Sequence, residues 1–254
     1  DLIRSRGLGD VYKRQPKTHS QRLKFEHYGE EDGLSNNSVR HIVQDDKGFI
    51  WLGTSSGLNR FDGYRFKRFS TTINSGVNTI NNDRITALSV DELNKKLWIG
   101  TKNGLTVLKL DTHQFTTFFP EINNINSIPD AHVTSVHVDK HNKVWVGTKS
   151  KGLYLFNHEH ESFVRIDVNG FEHITTIFED KRGSIWIGSY GKRAIAKITS
   201  DSTGKILELK SYKLLVPNSN EINPYVNFIY EDFKSDLFVG TSKGGLYKFK
   251  TVSY

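Results

Sequence analysis

Phe49-Ile50-Trp51-Leu52-Gly53-Thr54-Ser55-Ser56-Gly57-Leu58 decides the fold, because its centre returns four more times along the chain. The copies are Trp98-Ile99-Gly100-Thr101, Trp145-Val146-Gly147-Thr148, Trp186-Ile187-Gly188-Ser189 and Phe238-Val239-Gly240-Thr241. The aromatic residues are separated by 47, 47, 41 and 52 positions. A repeat of roughly 40–50 residues carried by short strand-like segments is the mark of propeller blades. The expected fold is therefore all-β: a propeller of four-stranded antiparallel blades, about five of them present.

Each aromatic residue heads a longer pattern. Twelve and nine positions earlier stand Val39 and Ile42, Val133 and Val136, Ile174 and Ile177, and Val226 and Ile229. Six positions earlier stand Asp45, Asp139, Asp180 and Asp232, and in the second copy Asp91 stands one residue further back. This spacing predicts an inner strand of β-branched residues that runs into a turn capped by the Asp carboxylate. A second strand then carries the Trp, and its Gly leaves room for close backbone approach. A Thr-x-x-Gly-Leu turn leads to a third strand, and an alternating outer strand such as Tyr64-Arg65-Phe66-Lys67-Arg68-Phe69 closes the unit. The blades are expected near 36–69, 81–118, 131–166, 172–214 and 225–254, the last incomplete. An outer strand at 22–28 precedes them, its Phe25-x-x-Tyr28 matching Phe66-x-x-Phe69. It either pairs with the fifth blade to close a five-blade ring or belongs to a blade lost upstream. The second option is favoured, which makes the chain an incomplete arc of a larger ring, of seven blades on the resemblance described below.

The 254 residues include no Cys and no Met, so disulfide, thiolate and Cys-metal chemistry are excluded. Residues 1–21 are read as a basic tail outside the fold, an artefact of assembly in part. The formal charge is +7, from 35 basic and 28 acidic residues. Four of the basic and two of the acidic residues lie in the first fifteen, which leaves 31 against 26, or +5. Spread over five blades, that is a mildly cationic surface rather than a nucleic-acid stripe. No apolar run approaches the roughly 18 residues of a membrane-spanning helix.

Gly33-Leu34-Ser35-Asn36-Asn37-Ser38-Val39, followed by Gln44-Asp45-Asp46-Lys47-Gly48-Phe49-Ile50-Trp51-Leu52-Gly53-Thr54, resembles the two-component regulator propeller repeat. The likeness runs over 22–254 and weakens in the fifth unit, where Phe238 replaces Trp. It implies the periplasmic sensor region of a hybrid two-component regulator, a kind abundant in Bacteroidetes. Such proteins bind glycan fragments and signal across the inner membrane to a histidine kinase. The partners implied are an oligosaccharide, the remainder of the same sensor protein (further blades, a β-sandwich, the kinase) and a second copy in a homodimer.

Ser38, Arg84, His132, His173 and Tyr225 hold one repeat position, just before each inner strand. Their types vary while the frame stays constant, as ligand contacts would, so they are the candidate binding residues. The repeated aromatics are assigned to packing between blades and the turn aspartates to capping rather than calcium. No phosphate loop, nucleophile elbow or metal motif is present, and no cofactor, metal or catalytic residue is expected. The expected function is ligand sensing without catalysis. The alternatives are a propeller lyase or glycosidase acting on polysaccharide, and a protein-interaction scaffold.

Overall fold

The computed structural model describes residues 24–71, 78–122, 124, 127–190, 194–214 and 225–249. The first blade is β1 (Val39–Gln44), β2 (Ile50–Thr54), β3 (Gly57–Phe61) and β4 (Phe66–Phe69). The second is β5 (Ile85–Asp91), β6 (Lys96–Thr101), β7 (Gly104–Lys109) and β8 (Gln114–Phe118). The third is β9 (Val133–Val138), β10 (Val144–Thr148), β11 (Leu153–Asn157) and β12 (Ser162–Ile166). The fourth is β13 (Ile174–Glu179), β14 (Ile185–Ser189), β15 (Ile195–Ser200) and β16 (Ile206–Tyr212). The fifth has three strands among the described residues, β17 (Val226–Glu231), β18 (Leu237–Thr241) and β19 (Leu246–Phe249). Every sheet is an antiparallel meander in sequence order, and successive inner strands β1, β5, β9, β13 and β17 are neighbours. The chain is a β-propeller.

The repeat explains how the blades hold together. Each Trp points forward into the next blade: Trp51 packs with Ile85, Leu88 and Ile99, and Trp98 with Val133, Val136 and Val146. In the same way Trp145 packs with Ile174, Ile185 and Ile187, and Trp186 with Val226, Ile229 and Val239. The indole Nε1 of Trp51, Trp145 and Trp186 donates to Oδ2 of Asp45, Asp139 and Asp180, each at 2.8 Å. The Oδ1 atom of the same carboxylates accepts two backbone N–H groups of the turn, those of Lys47 and Phe49 at Asp45. Both oxygens are thus engaged, which is why this Asp recurs. In the second blade the longer turn draws Asp91 onto Asn94, and the Trp98 indole nitrogen is buried without a partner.

The expected strand at 22–28 requires correction. Residues 22 and 23, with the tail, lie outside the described residues, and Lys24–Tyr28 form no strand and pair with none. The chain instead reverses through a 3-10 turn at Glu30–Asp32, helped by Gly33 in the left-handed region at φ 109°. The Arg68 guanidinium donates to the carbonyls of Gly33 and Leu34 and fastens the turn to the first blade, where Tyr28 packs at a tilt against Phe61 and edge-on to Phe66. The aromatic spacing that suggested a strand therefore reflects docking on the first sheet.

The outer flanks of the first and fifth blades do not cover each other. Ile42 is 64% exposed where its counterpart Leu88 is 7% exposed, and Phe228 and Tyr230 are 51% and 58% exposed.

Between the third and fourth blades His137 Nε2 stands 3.6 Å from Glu179 Oε2. Burial raises the pKa of Glu179, but His137 and the Lys140 N–H, which donates to Oε2 at 2.9 Å, outweigh it and hold the carboxyl below its ordinary range. A carboxylate held low contributes stability above its unfolded pKa of about 4.3, and that contribution is lost as pH falls through the folded value. The stability gap between the wild type and Glu179→Gln should therefore shrink between pH 7 and pH 3.5 in urea denaturation. A gap independent of pH would reject the account.

Candidate functional site

All five inner strands carry a β-bulge at one repeat position. The register slips between Val39 and His41, Ile85 and Ala87, Ile174 and Thr176, and Val226 and Phe228, and at the matching place in β9 opposite Gly147 and Thr148. A bulge leaves one residue outside the ladder and re-aims its side chain. Here the extra residues are Arg40, Thr86, Thr134, Thr175 and Asn227, and all five line one cavity of about 390 Å³ on the axis. The bulges also join the blades. The Thr86 hydroxyl donates to Val133 O at 2.5 Å, Thr134 to Ile174 O at 2.5 Å and Thr175 to Val226 O at 2.6 Å.

Arg84 and Tyr225 from the candidate set line the same cavity, with Lys102 and His41. His173 lies against Tyr225, ring centroids 5.7 Å apart, and both approach Tyr190 at 6.2 and 5.9 Å. His132 is close enough to His173, Lys102 and Lys149 to feel their charges. Ser38 stands on the exposed lip with its N–H given to Asn36 and does not line the cavity.

The bulge residues were missed by sequence reasoning by a constant two positions: Ser38 to Arg40, Arg84 to Thr86, His132 to Thr134, His173 to Thr175 and Tyr225 to Asn227. A further set stands at the tips of the second hairpins: Ser55, Lys102, Lys149, Tyr190 and Ser242. Backbone bonds tie three of these to the strand starts: Lys149 N to His132 O, Tyr190 N to His173 O and Ser242 N to Tyr225 O. The Thr-x-x-Gly motif shapes the tips, since the Thr101 and Thr148 hydroxyls donate to Gly104 O and Gly152 O at 2.9 Å.

The electrostatics follow from this layout. Burial lowers the pKa of His132 and His173, and the Lys149 ammonium lowers both further. Burial also lowers that of His41, against a backbone contact with Thr86. Among the described residues, none that lines the axial cavity is Asp or Glu. A larger groove of about 620 Å³ opens on the opposite face, where Lys95 pairs with Asp46, Asp139 serves its own turn and Lys140 reaches the Arg182 carbonyl. Exposed His27, Glu31 and Asp32 bring one ligand atom each within 4.8 Å of one another, outside the axial site.

Comparison with known proteins agrees with this architecture. Residues 33–56 and 170–191 match the family model for the two component regulator propeller. The first and fourth blades thus carry repeats of that kind. Histidine kinase P4 of Formosa agariphila is 45% identical over 51 residues, which is 20% of this chain and 4% of that protein. Among solved structures, the extracellular domain of a protein described as a hybrid two component system from B. thetaiotaomicron superposes with a TM-score of 0.56 at 20% identity. The match covers 89% of this chain and 42% of that one, so the chain spans less than half of that relative. Virginiamycin B lyase from Staphylococcus aureus has a TM-score of 0.63 at 11% identity, over 87% of this chain and 68% of that one. At these identities the structural matches speak for the fold.

Proposed function

We propose that this propeller is the ligand-sensing part of a hybrid two-component signalling protein and binds an oligosaccharide at the axial mouth without altering it. One observation carries the reading. Two of the five equivalent strand-start positions, Arg84 and Tyr225, join the bulge ring and Lys102 around one open cavity, and His132 and His173 stand beside them. Rigid scaffolds whose loops differ from unit to unit are where recognition is built. On this reading the chain works outside the cytoplasm in a protein anchored in the inner membrane. Its kinase lies across the bilayer, and the remainder of the same protein, with a second copy, relays occupancy.

A glycosidase needs two carboxylates about 5–9.5 Å apart on one sugar. The described residues that line the cavity include none, which gives hydrolysis no support here. Calorimetric titration with a panel of oligosaccharides tests the sensing reading. At least one member should bind, and Tyr190→Ala with Tyr225→Ala should weaken it about tenfold or more, in line with the loss of stacked aromatic contacts. Absence of binding across the panel, or release of shortened or unsaturated products, would reject it.

A further inference from the structure

Two halves of the mouth differ in chemistry. On the side of the second and third blades stand Arg84, Lys102, Lys149 and His132. On the side of the fourth and fifth stand His173, Tyr190 and Tyr225. Exposed cations without an ion pair, such as Lys109, Arg165 and Lys205, occur elsewhere too among the described residues, so what marks this rim is that several stand around one opening. On the opposite face and outer edge, Lys47 pairs with Asp111, Lys95 with Asp46, Lys210 with Glu208 and Lys248 with Asp236. Lys140 and Lys181 there reach the carbonyls of Arg182 and Asp232 in the next blade. Arg84, Lys102 and Lys149 make no ion pair or side-chain hydrogen bond among the described residues, and all three are exposed.

The nearby carboxylates form no ion pair with them, although the charge of Asp130 still reaches His132 and His173. Asp130 accepts from His132 N at 3.0 Å, and from Ser150 N and Ser150 Oγ at 2.8 Å each. Asp83 accepts from the Thr71 N–H and hydroxyl at 2.7 and 2.8 Å. Glu172, next to His173 in the chain, is the other acid on this lip. Opposite the cations, the rings of His173, Tyr190 and Tyr225 meet at centroid distances of 5.7–6.2 Å, and Tyr190 is 57% exposed. An aromatic face accepts the C–H face of a sugar, and an unpaired guanidinium or ammonium accepts an oxyanion.

Resting on the sensing reading above, we infer that the ligand is an acidic sugar. Its carboxylate or sulfate oxygens are held by Arg84, Lys102 and Lys149, and a ring face lies on Tyr190 and Tyr225. Thr134 and Thr175, their hydroxyls already spent on the neighbouring blades, form the floor below. The histidines add a pH dependence of definite sign. His132 faces Lys102, Lys149, Asp130 and His173, and His173 faces Lys149, Asp130 and the two tyrosines. Both titrate below the ordinary histidine value, so they are neutral at pH 7.5 and gain charge as the pH falls. A bound oxyanion favours that charge, and affinity rises with acidification.

The test uses the protein with three probes: trigalacturonate, its full methyl ester, and a sulfated disaccharide. Trigalacturonate or the sulfated disaccharide should bind about tenfold or more tighter than the ester, as charge-assisted contacts imply. Which of the two binds tighter assigns the oxyanion to carboxylate or sulfate. Arg84→Ala with Lys102→Ala should bring the acidic probe down to the level of the ester and leave the ester within about twofold. Affinity for the acidic probe should rise between pH 7.5 and pH 5.5. Equal binding of acid and ester, or an acid unaffected by the double variant, overturns the acidic-sugar inference and leaves the sensing reading standing. Failure of every probe and every neutral oligosaccharide overturns both.

Discussion

Trp145→Ala should lower the unfolding free energy by roughly 3–5 kcal/mol, the range for removing a buried large ring. Trp145 is fully buried and fills the seam between the third and fourth blades against Ile174, Ile185 and Ile187. Truncation also strands Oδ2 of Asp139, a buried carboxylate oxygen whose partner is the indole N–H at 2.8 Å. Comparison with phenylalanine separates the two effects. Trp145→Phe keeps most of the ring but loses the hydrogen bond, at a further cost of about 1–3 kcal/mol for the unsatisfied acceptor. Trp98→Phe loses no hydrogen bond, because the Trp98 indole nitrogen has no partner to begin with. Its cost should be smaller than that of Trp145→Phe by about 1–2 kcal/mol. Urea denaturation midpoints at constant slope decide the matter. Equal losses for the two Phe variants would show that the Asp–Trp bond does not hold the blades.

Gly147→Ala is the second substitution with a large expected effect. A β-carbon there would overlap Ser135 Oγ and stand 2.6 Å from Ile174 Cγ2 and 2.8 Å from Ile174 Cβ. A serine can rotate away, but the Ile174 β-carbon is fixed to the backbone of β13. Relief therefore requires the third and fourth blades to part. Overpacking of this kind costs about 1–3 kcal/mol, occasionally more. Gly240→Ala is the control. Its β-carbon would overlap only the far edge of the Phe228 ring, a half-exposed side chain of the same blade that can swing outward. The loss there should stay below about 1 kcal/mol. A thermal melt in which Gly240→Ala falls as far as Gly147→Ala would mean that the glycine serves the turn and not the seam.

Much of this frame was written in spacing. The Trp, the Asp six residues before it and the Gly two residues after it each do one local job that only one residue type does well, so they recur and can be aligned. The bulge was also present in the pattern. Apolar residues at Val39 and Ile42, or Ile85 and Leu88, are three apart, yet both members of the second pair pack toward the same neighbouring blade, at Gly53. A strand of period two puts such residues on opposite faces, so one extra residue must intervene. Without that inference the candidates were Ser38, Arg84, His132, His173 and Tyr225, of which Arg84 and Tyr225 line the axial cavity, and the bulge residues two positions on went unnamed. The docking of Tyr28 was not legible, because it depends on Arg68 reaching carbonyls 34 and 35 residues away in the chain. The pairing state of a surface lysine is likewise set by which blade stands beside it, and no periodicity announces that.

The array has a direction. Every indole is thrown forward across its seam, so a sheet lends its largest ring to its successor and receives one from its predecessor. Loss of the fifth sheet would bare Trp186, whereas loss of the first would bare Ile85, Leu88, Ile99 and the half-buried Phe115 but no indole. Like overlapping roof tiles, the sheets resist peeling unequally from the two ends, and the costlier end to lift is the one that follows.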